Sequence, residues 1–105
     1  MDEYLSGSYR RFRGDHAEVD RAFEALSKTL HEAGPLGARE RRLLKLGVAI
    51  GASSEGAVRS HVRKALAEGF SPEEIRHAVV LSLTTAGFPQ MIAALKWANE
   101  VLDAR

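Results

Sequence analysis

The run Ser71-Pro-Glu-Glu74 constrains the fold of this chain more than any other, because each residue suits one position at the start of a helix. Serine offers an N-cap oxygen, proline at the first helical position gives up only an N–H that the helix would leave unpaired, and Glu74 is placed to complete a capping box. The run predicts a helix from Pro72 to about Ala86. Comparable punctuation divides the remaining sequence into helices and short turns, and no alternating β-branched stretch argues for a strand. The expected fold is all-α.

A short first helix is predicted through Tyr4 to Phe12, ended by Gly14, with Asp15 opening a second helix that runs to Ala33. Val19, Ala22, Phe23, Leu26 and Leu30 form its apolar stripe, and Gly34-Pro35 stops it. A third helix from Ala38 to Ala52 carries Leu43, Leu44, Leu46, Val48 and Ile50, so its C-terminal half is expected to be buried. Gly47 within it costs about 1 kcal/mol relative to alanine, which a close approach by a neighbouring helix would offset. The fourth helix begins near Ser53 or Ser54 and ends at Gly69, with Val58, Val62, Ala65 and Leu66 facing the core. From Ile75 through Leu83 the next helix is apolar on most sides, as suits a central helix or a subunit contact. After Pro89 a last helix points Met91, Ile92, Leu95, Ala98, Val101 and Leu102 inward, and leaves Trp97 for a second seam such as an oligomer interface.

At 105 residues the chain is expected to form one domain spanning 1–105, short enough that burying further apolar surface between copies would help. A homo-oligomer is the natural expectation. The formal net charge of +1 offers no field for nucleic acid or an acidic membrane. Arg10, Arg11 and Arg13, with Tyr9 and Phe12 between them, read better as a solvated face than as a nucleic-acid arm. No apolar run approaches the ~20 residues of a membrane helix, and the N-terminus lacks the hydrophobic core of a secretory signal, so cytoplasmic residence is expected. His16, His31, His61 and His77 show no metal-binding spacing with further ligands nearby, so neither a metal nor another cofactor is expected.

The most suggestive chemistry lies between Gly51 and Gly69. Ser54, Ala57 and His61 fall on one stripe of the fourth helix, so small side chains leave room beside an imidazole. This setting resembles the carboxymuconolactone decarboxylase and alkylhydroperoxidase D-like family, whose redox branch carries Cys-x-x-Cys-x-x-x-His there. Ser54 and Ala57 replace the two cysteines, and the chain contains no cysteine at all. A thiol peroxidase needs a thiolate nucleophile, so peroxidase chemistry at sulfur is excluded. The resemblance is strongest over residues 36–102. It rests also on the Arg39 to Ile50 helix, the Lys64-Ala-Leu-Ala-Glu-Gly69 exit, the Ser71 start and the Thr84 to Pro89 turn. It implies an alkylhydroperoxidase D-like helical bundle around an antiparallel helical hairpin, assembled as a trimer or hexamer.

His61 matches a functional position of the family and is the candidate proton shuttle, set against a structural histidine. Where the redox branch has a relay glutamate this chain has Arg42, a candidate carboxylate contact or else an ion-paired residue of a charged helix turn. His77 is a candidate anion contact, weighed against a hydrogen-bonded core or interface histidine. Glu55 is a candidate acid, base or substrate contact, weighed against a carboxylate that complements the helix dipole. The resemblance implies, if there is an activity, decarboxylation or tautomerisation of a small organic acid or lactone without a cofactor. The competing reading is a non-catalytic binding or assembly module whose pocket is filled by side chains.

Overall fold

The computed structural model describes residues 7–104 and places seven helices among them: α1 (Gly7–Asp15), α2 (Ala17–Glu32), α3 (Ala38–Gly51), α4 (Glu55–Ala67), α5 (Pro72–Leu81), α6 (Leu83–Ala86) and α7 (Phe88–Asp103). No strand occurs among the described residues, and no helix there is long and apolar enough to cross a membrane. The all-α expectation holds. The chain forms two compact units, one up to Arg41 and one from Arg42 onward.

In the first unit α1 packs on α2. The expected end of the first helix at Gly14 is not observed: the helix continues through Asp15, and the break falls at His16, whose φ of −131° and ψ of 53° leave the helical region. Tyr4 lies outside the described residues. Asp20 is buried, accepts from the Tyr9 hydroxyl at 3.5 Å and lies 3.6 Å from the Arg13 guanidinium, while Arg11 pairs with Asp15 one turn on. Arg11 and Arg13 of the arginine cluster thus form ion pairs within the unit. Burial and the neighbouring Asp20 charge push the Tyr9 phenol above its usual range. Along α2, Val19, Phe23, Leu26 and Leu30 keep the predicted stripe, but more than half of each side chain's surface stays exposed.

The second unit is built on α7, which packs against α4, α5 and α6. Its core joins Leu46, Ala49 and Ile50 of α3, Val58, Val62 and Ala65 of α4, Phe70, Ile75 and Val79, and Ala94, Ala98 and Leu102 of α7. Ala94 and Ala98 are fully buried, and side chains this small let α4 and α5 approach the α7 backbone closely. Trp97 packs partly buried against this core rather than standing off it. The fifth predicted helix is interrupted: α5 closes at Leu81, Ser82 Oγ donates to the Val79 carbonyl at 2.6 Å, and the short α6 follows.

Two turns position everything that follows. At the end of α4, Phe70 N donates to Ala65 O at 3.0 Å and Gly69 N to Leu66 O at 3.1 Å, the paired bonds of a Schellman cap, with Gly69 at φ +98° and Phe70 buried. The same pattern closes α3, where Ser54 N donates to Ala49 O and Ser53 N to Ile50 O. There the left-handed residue is Ser53, at φ +53°. Ser53 therefore ends α3, and Ser54, in extended conformation, is the N-cap position of α4. The capping box at Ser71 forms as the sequence predicts: Glu74 N donates to Ser71 Oγ at 3.0 Å and Ser71 N to Glu74 Oε1 at 2.9 Å.

The expected burial of the C-terminal half of α3 is corrected in part. Leu46, Ala49 and Ile50 are buried, whereas Val48 is 63 % exposed and Leu44 58 %. One face of the helix reaches the core and the other is left uncovered. Gly47 belongs to the uncovered side; a Cβ there would meet nothing within 4 Å, so no neighbour within the chain exploits its small size.

Candidate functional site

Arg42, in the first turns of α3, brings the two ends of a single site together. Its Nε donates to Glu68 Oε1 at 2.8 Å and its Nη2 to Glu68 Oε2 at 2.8 Å, a planar fork on a carboxylate. Its Nη1 lies 2.7 Å from His61 Nδ1. His61 and Glu68 are seven residues apart on one face of α4, so a single guanidinium from α3 reaches both. The Arg42 side chain is only 12 % exposed, and that of Glu68 is 38 % exposed.

The chemistry of the three groups sets the state of the ring. A guanidinium has only donors, so His61 Nδ1 must accept, and the proton of the neutral imidazole then resides on Nε2. Burial, then the positive charges of Arg42, Lys64 and Lys45, lower the His61 pKa from 6.5 to about 4, while Glu68 opposes them. The ring is neutral at physiological pH. Glu68 is itself held below the usual carboxylate range, chiefly by its hydrogen bonds from Arg42.

The other residues singled out in the sequence lie elsewhere. Glu55 is exposed in the first turn of α4 and accepts from Arg59 Nε at 3.1 Å, in a network that Arg59 extends through a short contact to Glu100 of α7. Each partner of that network shifts Arg59 upward, the hydrogen bond that Arg59 donates to Glu100 most, with burial acting against it. His77 is exposed on α5 and has no hydrogen bond to the His61 cluster. The structure thus joins His61 to Arg42 and leaves Glu55 and His77 out of that contact.

Glu68 was not a sequence candidate. A signal did exist: a carboxylate at a helix C-terminus opposes the helix dipole by roughly 0.3–1 kcal/mol. Such a residue invites a search for a compensating cation. Among the described residues no group of three or more His, Cys, Asp or Glu is arranged to hold a metal ion. A cleft of about 390 Å³ lies in the first unit, lined by Arg10, Arg13, Gly14, Ala17, Asp20 and Arg21.

An all-helical fold with a histidine on a small-residue helix face agrees with a comparison of the sequence with known families. Residues 17–100 match the carboxymuconolactone decarboxylase family, and the chain belongs to it. The match takes in α2 as well as the region from Leu36 onward that carries the sequence resemblance. No curated protein and no solved structure shows a significant match to the chain.

Proposed function

We propose that the protein performs cofactor-independent acid/base chemistry, decarboxylation or tautomerisation, on a small organic acid or lactone, with His61 as the reacting side chain. The observation that carries this reading is the contact between Arg42 Nη1 and His61 Nδ1. It turns the expected two-way proton shuttle into a more specific device. With Nδ1 occupied and the ring neutral, Nε2–H is the donor left to a substrate, and in this reading it donates a hydrogen bond to an oxygen on which charge develops. In a decarboxylation the bond to the carboxyl carbon breaks, carbon dioxide leaves, and the electron pair passes through the conjugated system to that oxygen as an enolate. A proton from solvent then returns to carbon.

Arg42 strengthens this donor by polarising the ring from behind. Of its five N–H groups three are used by Glu68 and His61, and the remaining two are assigned in this reading to a substrate carboxylate. The occupied fork equally suits the competing reading, a non-catalytic module whose anion site is filled by its own glutamate. A thermal-shift and turnover screen of lactones, keto acids and dicarboxylates against wild type and His61→Ala separates the two. A stabilising ligand whose effect disappears in the variant, with carbon dioxide or isomer released by the wild type, supports the enzyme. Absence of any His61-dependent shift or turnover across the panel would sink it.

The protein is further proposed to work as a homo-oligomer in the cytoplasm. Exposed Leu44 and Val48 on α3, Val80 and Leu81 on α5, and Phe88 and Ile92 on α7 are surfaces that a second copy would cover.

A further inference from the structure

We propose that Glu68 is a positioning residue for the His61 site: it clamps Arg42 so that the guanidinium meets His61 Nδ1 and the ring presents Nε2–H. This assignment rests on the reading of His61 as the reacting donor, but its test does not depend on turnover. Three observations support it. Glu68 is the C-cap residue of α4 and precedes Gly69 and buried Phe70 in the Schellman cap, so its backbone is fixed relative to His61 on the same helix. Its two carboxylate oxygens take two N–H groups of Arg42, which fixes the plane of the guanidinium as well as its distance. The third nitrogen, Nη1, then lies 2.7 Å from the imidazole. Without the clamp, Arg42 is a long charged side chain holding a single hydrogen bond to an uncharged ring, and its rotamer entropy and hydration favour release into solvent.

The alternative is that Glu68 acts only as a nearby negative charge. The two predict opposite signs. Arg42 and Lys45 from α3 and Lys64 from α4 all lower the His61 pKa, and Glu68 raises it. Deleting a mere charge would therefore lower the titration midpoint further. Deleting a clamp frees Arg42, removes the largest charge acting on the ring, and raises the midpoint.

Nitrogen-15 NMR of the full-length protein, following the tautomer and titration of His61 in wild type, Glu68→Gln, Glu68→Ala and Arg42→Gln, reads this directly. In wild type the ring should be held as the Nε2–H tautomer. In Glu68→Ala the midpoint should rise by about one pH unit, with the Nδ1–H tautomer appearing. Glu68→Gln, which keeps the shape and one acceptor, should fall between, and Arg42→Gln should reproduce the alanine phenotype. A midpoint in Glu68→Ala that is unchanged or lower, with Nε2–H retained, overturns the assignment. A tautomer change in a protein that binds no organic acid would leave the clamp standing and remove the catalytic reading.

Discussion

At the scale of single residues, His61 couples the site to stability. Its pKa is lowered from 6.5 to about 4, so the unfolded chain binds a proton that the folded chain refuses. The stabilisation is present in full above pH 6.5 and is lost as pH falls through that window toward 4, by about 1–2 kcal/mol once solvent screening of the part-exposed ring is allowed for. Urea melts of wild type and His61→Asn across this range should differ in slope, with the variant losing less stability on acidification. Parallel curves would show that the ring accepts a proton without penalty. Ser53 gives a second test of local physics. It occupies a left-handed backbone position that glycine adopts freely, at φ +53°. Ser53→Gly should stabilise the protein by about 1 kcal/mol in the same melts, because the steric cost of the side chain exceeds the added chain entropy. Neither effect can be foreseen from composition. His61 was identifiable from its small-residue stripe, whereas its tautomer comes from Arg42, nineteen residues earlier in the chain, and its resistance to protonation from burial first and the Arg42 charge second.

At the scale of helices, the elements were readable wherever termination depends on a residue's own chemistry. The Ser71 box, the Gly69 cap and the break after α2 are all local, and each is found close to its expected position. Boundaries went astray where two local signals compete. Gly14 is tolerated inside α1, and the serine pair after α3 divides its roles, Ser53 ending one helix and Ser54 beginning the next. Packing tells the same story for α7. The periodic stripe identified Ala98 and Leu102 as core, but the full burial of Ala94 and Ala98 reflects how closely the neighbouring helices approach. Ala98→Leu should overpack this seam and cost about 1–3 kcal/mol or more. Thermal melts would check it, and a near-neutral effect would mean that α4 and α5 can move away from α7 at little expense.

For the molecule as a whole, exposed apolar surface is the dominant fact. Val19, Phe23, Leu26 and Leu30 line α2, and Leu44 and Val48 line the outer side of α3, all with more than half of their surface in contact with water. Large apolar patches of this kind mark interaction surfaces. Light scattering should therefore report an assembly larger than one chain, and Val48→Glu should shift it toward smaller species by placing a charge where apolar contact is expected. A monodisperse monomer in the wild type would reverse that expectation. The apolar pattern along the chain and its caps were enough to determine an all-helical fold, because each of those features acts within a few residues of itself, and the lack of cysteine leaves no thiol for the redox branch's chemistry. Which apolar faces meet, and how Glu68, Arg42 and His61 become one hydrogen-bonded unit, depends on folding that brings distant segments together, since a hydrogen bond forms only at short range and sequence separation carries no direction.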